Sequence, residues 1–302
     1  MTFTSINLKF INMQNSESNF NKKLELNNIW ISYDDVGIGK TPILFLHGFP
    51  FNKSMWEEQL DFLKESHRLI SIDIRSFGQS QDNHIETSIN LFANDLIEFM
   101  NVLQLKKVII CGLSMGGFIA LNAVKKYPKR FSALILCDTQ CAADTIEQKT
   151  KRLETIKEIE TNGITNFTAK FLKAIFHEDS IANKIGLVSK IEADILANNP
   201  AVIIGGLKAL ASRTETCSNM NKIEIPTLII CGREDQVTPL SESEFMHINI
   251  KNSSLKIIEN AGHLSNLEQP EAFNAELLEF LSSEPIISIA NTVKEPNSNI
   301  FV

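Results

Sequence analysis

The stretch Val108-Ile109-Ile110-Cys111-Gly112-Leu113-Ser114-Met115-Gly116-Gly117-Phe118 decides how this chain is read. Val108–Cys111 is a short unbroken apolar run of the kind found in strands buried on both faces. From Met115 to Tyr127 the pattern is helical, and Pro128 stops it. Between the two lies Gly112-Leu113-Ser114-Met115-Gly116, a Gly-x-Ser-x-Gly in a strand–turn–helix setting. The glycines permit a tight turn and a close helix approach, and the serine is held in a strained, exposed position. Ser114 is the candidate nucleophile. The bare pattern recurs by chance; the strand before it and the helix after it give it weight.

Outward from this stretch the same alternation repeats. Lys22–Leu26 and Ile29–Tyr33 suggest an opening hairpin, and buried-strand runs follow at Ile43–Leu46, Leu69–Ile72, Ala133–Cys137, Thr227–Cys231 and Leu255–Ile258. Amphipathic helices lie between them. Ser88 is placed to cap one that runs through Leu103, and Pro270 opens another with Phe273, Leu277, Leu278 and Leu281 on one face. Strands alternating with helices argue for an α/β fold with a mostly parallel, doubly wound sheet. From Thr139 to Asn221 the rhythm breaks. No strand pattern appears there, while Ile164, Phe167, Phe171, Leu172, Ile175 and Phe176 recur at helical spacing. The expected organisation is one domain over residues 24–283. Its core covers about 24–138 and 222–283, with a helical cap inserted at about 139–221. Residues 1–23 form a polar N-terminal extension and 284–302 a tail, in which Ile286, Ile287 and Ile289 are available to dock.

A serine hydroxyl needs a base to take its proton. Of six histidines, His263 in Asn260-Ala261-Gly262-His263-Leu264 is best placed, since it follows the strand Leu255–Ile258 and so sits at a strand's carboxyl end. His67 and His84 lie in polar segments, His177 and His247 in helical ones, and His47 reads as a residue that shapes its own loop. The base in turn needs an acid that holds its tautomer and balances its charge. Asp235, after the strand Thr227–Cys231, suits that role, with Glu234 and Asp138 as rivals. For a developing oxyanion, the backbone N–H groups of Met115 and of Phe49 in His47-Gly48-Phe49-Pro50 are the candidate donors.

Composition narrows the classes. A formal net charge of -7 disfavours a nucleic-acid role, which calls for a basic face. No apolar run approaches the ~20 residues of a membrane-spanning helix, and the first twenty residues lack a basic-then-apolar signal pattern, so a cytoplasmic protein is expected. The five cysteines are an odd number for a disulfide framework and lack C-x-x-C spacing; all five are expected as reduced, buried, structural thiols. No metal or organic cofactor is implied, and oligomeric state is not legible.

With these residues in hand, the chain resembles the α/β-hydrolase superfamily from about Leu24 to Ser283. The resemblance rests on His47–Pro50, Asp73–Ser80, Gly112–Gly117, Gly232–Pro239 and Ala261–Pro270, and on the chain order Ser114, Asp235, His263. Phe45–Trp56 and Ala261–Asn274 suggest bacterial carboxylesterases and 3-oxoadipate enol-lactonase-like proteins. The resemblance implies a serine hydrolase that cleaves a small ester or lactone through an acyl-enzyme. Two other readings stay open: the same residues used for C–C bond hydrolysis, perhydrolysis or acyl transfer, and a non-catalytic ligand receptor on the same fold. Ser76 departs from the family, which usually has Gly there. The Phe- and Ile-rich insertion favours an uncharged or partly apolar acyl group, and none of Lys170, Lys173, Lys208 or Arg213 stands out as an anchor for an anionic lactone.

Overall fold

A computed structural model of the chain describes residues 19–81 and 86–287. In chain order the elements are β1 (Lys22–Leu26), β2 (Ile29–Gly37), β3 (Ile43–Leu46), α1 (Glu57–Leu63), β4 (Arg68–Ile72), α2 (Ile89–Val102), β5 (Val108–Leu113), α3 (Met115–Lys126) and β6 (Phe131–Cys137). Then come α4 (Ile146–Asn162), α5 (Thr165–Ile175), α6 (Glu178–Asn183), α7 (Ile185–Leu196), α8 (Pro200–Ala211), β7 (Thr227–Gly232), α9 (Leu240–Asn249), β8 (Ser253–Ile258), α10 (Ser265–Glu268) and α11 (Pro270–Leu281).

The eight strands form one sheet in the order β1-β2-β4-β3-β5-β6-β7-β8. The β1–β2 and β2–β4 pairs are antiparallel and the rest parallel. Asn27 and Asn28, both at positive φ (50° and 64°), turn the opening hairpin; Asn tolerates that region because its short side chain bonds locally. Every residue of β3, β5, β6 and β7 is buried, as continuous apolar strands under helices on both faces require. β8, at the sheet edge, is only half covered. Parallel strands reached by crossovers bring their carboxyl ends to one rim, where ligand crevices of open α/β sheets lie.

Ser88 caps α2 by accepting from Leu91 N (3.1 Å). In the loop after β4, Arg75 forks onto Asp95 of α2 with two 2.6 Å bonds, so that buried charge is matched. Ser76 occupies φ +74°, a left-handed position that glycine takes without strain. Between β6 and β7 the described residues form helices and no strand. The most polar of them, α4, begins with a capping box made by Thr145 and Gln148. It buries only Ile156 and Ile159, which is why apolar periodicity does not announce it. Ile286 is buried against the core and Ile287 is half exposed; Ile289 and His84 lie outside the described residues.

One expectation is overturned. Cys141 and Cys217 form a disulfide, with Cα atoms 4.9 Å apart and 76 residues between them in sequence. The pairing escaped the sequence because the two cysteines flank the helical insertion, and only the fold brings its ends together. Thr216 N–H also donates to Cys141 O (2.9 Å). Beside it, Arg213 donates to Asp144 (2.6 Å), which also receives Arg152 (2.6 Å). Cys111, Cys137 and Cys231 are buried free thiols as expected.

Candidate active site

Ser114 leaves β5 and opens α3 with φ 53° and ψ -113°, the strained turn the sequence called for. Three bonds to its backbone hold it there: Ser114 N–H donates to Cys137 O (2.9 Å), while the Thr139 hydroxyl Oγ1 (2.8 Å) and Phe118 N (3.1 Å) donate to Ser114 O. Gly116 allows the turn, because a Cβ there would stand 2.2 Å from Leu46 O.

His263 follows β8 and is 2 % exposed. Its Nε2 lies 2.8 Å from Ser114 Oγ and its Nδ1 2.8 Å from Asp235 Oδ2. An ionised carboxylate only accepts, so Nδ1 carries the proton and donates to Asp235. That leaves the Nε2 lone pair to receive the Ser114 hydroxyl. Asp235 takes further bonds from Val237 N (2.8 Å), Thr238 N (3.0 Å) and Thr238 Oγ1 (2.8 Å). Burial alone pushes the Asp235 carboxyl up. The facing His263 and the hydrogen bonds from His263 and Thr238 outweigh it and hold the group below the usual carboxylate range. Burial likewise pushes His263 down. The Asp235 charge and hydrogen bond, joined by the fields of Asp138 and Glu268, reverse this and leave it above the ordinary imidazole value.

The rivals are elsewhere engaged. Asp138 accepts from Gly232 N (2.8 Å) and Ser265 Oγ (2.5 Å), and burial together with the Asp235 charge pushes its carboxyl well up. Glu234 is half exposed and accepts from Ala261 N (3.2 Å). His47 donates from Nδ1 to Gly48 O (2.8 Å) and accepts Ile74 N–H on Nε2 (2.9 Å). Its burial lowers the pKa to about 4, so it is a neutral loop brace. Among the described residues, Asp138, Cys231 and Asp235 are the one grouping with metal-ligand spacing. Their donor atoms are already occupied: burial holds the Cys231 proton on, and four hydrogen bonds converge on Asp235.

The His47–Pro50 loop lies against the serine, since a Cβ on Gly48 would stand 3.4 Å from Ser114 Cβ. Among the described residues, neither the Phe49 nor the Met115 backbone N–H is used in a hydrogen bond. The Phe49 ring is enclosed by Phe77 (6.2 Å between centroids) and by Phe167 (6.3 Å) and Phe171 (6.2 Å) of α5. The insertion therefore roofs this loop with aromatic surface. The cations in it point to other duties: Arg213 is tied to Asp144 and lies 4.4 Å over the Phe118 ring, and Lys170 pairs with Glu158 at the surface. Lys173 and Lys208 are exposed.

The alpha/beta hydrolase fold family matches residues 41–270, three quarters of the chain. The chain belongs to that family. Among curated relatives of this hydrolase, 3-oxoadipate enol-lactonase 2 of Acinetobacter baylyi is 27% identical over 256 residues, 84% of this chain and 94% of that protein. A putative non-heme chloroperoxidase of Synechocystis is 30% identical, covering 83% of this chain and 94% of its own. Among solved structures, a thermophilic esterase from Thermogutta terrifontis superposes with a TM-score of 0.80 at 31% identity. That match covers 84% of this chain and 93% of the esterase. Different activities are named on one scaffold, so the likeness gives the hydrolase its fold and family and leaves its substrate to the site. No helix among the described residues is long and apolar enough to cross a membrane.

The sequence missed Thr238, which orients Asp235; Thr139, which steadies the serine's turn; and Glu268, which bonds to Gly262 N. Thr238 and Glu268 lie inside stretches that carried the resemblance; Thr238 bonds within its own loop, whereas Glu268 also reaches His177, 91 residues away.

Proposed function

We propose that this hydrolase cleaves a small carboxylic ester or lactone through an acyl-enzyme on Ser114. One observation carries the reading: the unbroken 2.8 Å relay from Ser114 Oγ through His263 to Asp235, with the serine on its strained turn. His263 Nε2 removes the Ser114 proton as Oγ attacks the carbonyl carbon. The carbonyl oxygen becomes an oxyanion that the Phe49 and Met115 N–H groups are free to receive. His263, now cationic and balanced by Asp235, protonates the departing alcohol or ring oxygen. Water then enters; His263 takes its proton, the hydroxide attacks the acyl carbon, and the acid leaves as Ser114 regains its hydrogen.

The aromatic roof over Phe49 and the prior engagement of Arg213 favour an acyl group without a negative charge over an anionic lactone. The Cys141–Cys217 disulfide favours an oxidising compartment, where such bonds persist, over the cytoplasmic location expected from the sequence. Turnover across p-nitrophenyl esters and neutral and anionic lactones, with Ser114→Ala as control, tests the function. Ser114→Ala should lower kcat by on the order of 10⁶ and abolish fluorophosphonate labelling. An alanine variant as active as the parent ends the proposal.

A further inference from the structure

The base of this site is mounted on the insertion as well as on the sheet. His263 N–H donates to Ile175 O (2.7 Å), the last carbonyl of α5. One residue earlier, Gly262 N–H donates to Glu268 Oε1 (2.8 Å), and the other oxygen of the same carboxylate, Oε2, accepts His177 N–H (2.8 Å) from the start of α6. Lys184, between α6 and α7, donates to the Glu268 backbone carbonyl. Glu268 is fully buried, and its bond with Gly262 is made without competing water. The approach needs glycine at 262: a Cβ there would lie 2.8 Å from Ile175 O and 2.9 Å from His177 N. A buried carboxylate with one oxygen on the base's own loop and one on the roof is a costly arrangement unless both bonds are satisfied.

We propose that Glu268 is a positioning residue for His263, acting by fastening the α5–α6 corner of the insertion to the peptide that precedes the base. This rests on His263 serving as the base of the proposed reaction. Without the clamp, Gly262 and the 175–177 corner separate, and His263 loses both the Ile175 carbonyl and its fixed distance to Ser114 Oγ. A misplacement of about 1 Å at such a group costs on the order of 10²-fold in rate. Glu268 also contributes negative charge. With Asp235 and Asp138 it is one of the carboxyl groups whose fields act on the imidazole.

The test is Glu268→Gln, which keeps the side-chain shape but replaces one acceptor with a donor that faces a backbone N–H. We expect kcat to fall about ten- to hundredfold with KM changed less than about threefold. The acid inflection of kcat/KM should move to lower pH, because a negative charge has left the base's surroundings. His177→Pro removes the donor from the roof side, at a φ of -64° that proline adopts. It should lower kcat in the same way, and the double variant should be no slower than the slower single one. A folded Glu268→Gln protein with the parent's kcat and inflection overturns the proposal, and so does a rise in KM alone. If Glu268→Gln fails to fold, His177→Pro decides by the same readouts. Should the parent hydrolyse no ester or lactone, the functional reading fails first. The rate at which a fluorophosphonate labels Ser114, which needs only an activated serine, then judges Glu268 by itself.

Discussion

The ring of Phe49 lies against the backbone of Gly206 in α8, so close that a Cβ on Gly206 would stand 2.5 Å from Phe49 Cε2. The residue whose backbone N–H is the proposed oxyanion donor is thereby registered from above by a helix of the insertion. Gly206→Ala should push the ring aside and tilt the 47–50 loop, lowering kcat/KM by about tenfold to a hundredfold. Gly205→Ala meets only Thr87 Oγ1 at 3.3 Å and should be mild. Steady-state kinetics of the pair decide it, and equal effects would show that the roof does not set the loop.

Asp235→Asn should lower kcat by roughly 10⁴, through loss of the counter-charge and of the tautomer that leaves Nε2 free. Asp138→Asn should cost less than about tenfold, or 1.4 kcal/mol, because Asn still accepts Gly232 N–H. Single-turnover rates on one ester compare the two directly. A reversed order would move the acid to Asp138.

The pH profile follows from the direction in which His263 is shifted. The base works neutral, so activity is lost as pH falls through its pKa. Asp235, Asp138 and Glu268 raise that pKa above the 6.5 of an unperturbed imidazole against the lowering effect of burial. The acid inflection of kcat/KM should accordingly lie above 6.5. In Asp235→Asn the residual activity should inflect at lower pH. An inflection below 6.5 in the parent would mean that desolvation prevails over the carboxylates.

Phe171 and Phe176 should part company. Phe171 is half exposed, stacked on Phe167 (5.3 Å) and set between Phe49 and Phe51. Its replacement by Ala should shift acyl-chain preference by about 1–3 kcal/mol, tens- to hundredfold, with little change in melting temperature. Phe176 is 4% exposed, and its replacement should cost about 3–5 kcal/mol of stability. Unaltered chain-length preference in Phe171→Ala would place substrate selection in the core loops.

The contrast between these residues shows what a sequence can disclose. The strands were legible because runs such as Ile43–Leu46 and Leu228–Cys231 are short and apolar without interruption, as strands buried on both faces are. Structure lengthened several of them, as at Phe131 and Ser253, where polar or flanking residues join the ladder. Ser114, Asp235 and His263 were readable one by one, each from the strand end it follows, and the structure brings them together. Two of the features that stayed hidden depend on chain far away in sequence. The Cys141–Cys217 bond spans 76 residues, and Glu268 reaches back to His177 across 91. Helix α4 escaped for a local reason: its charged surface leaves just two buried isoleucines to read.

The closeness of Cys141 to Cys217 has a bearing on how such enzymes diversify. Two Cα atoms 4.9 Å apart fall within the span of a single β-turn. Everything between them is thus a cassette whose ends already meet, removable or exchangeable without stretching the sheet that carries the serine. A lid grafted from a relative would fit that doorway with few changes to its frame. It would still have to arrive with a carbonyl where Ile175 has one and an amide where His177 has one. Grafts that ignore this corner should give well-folded hybrids with idle serines, and substrate range should prove easier to transplant than speed.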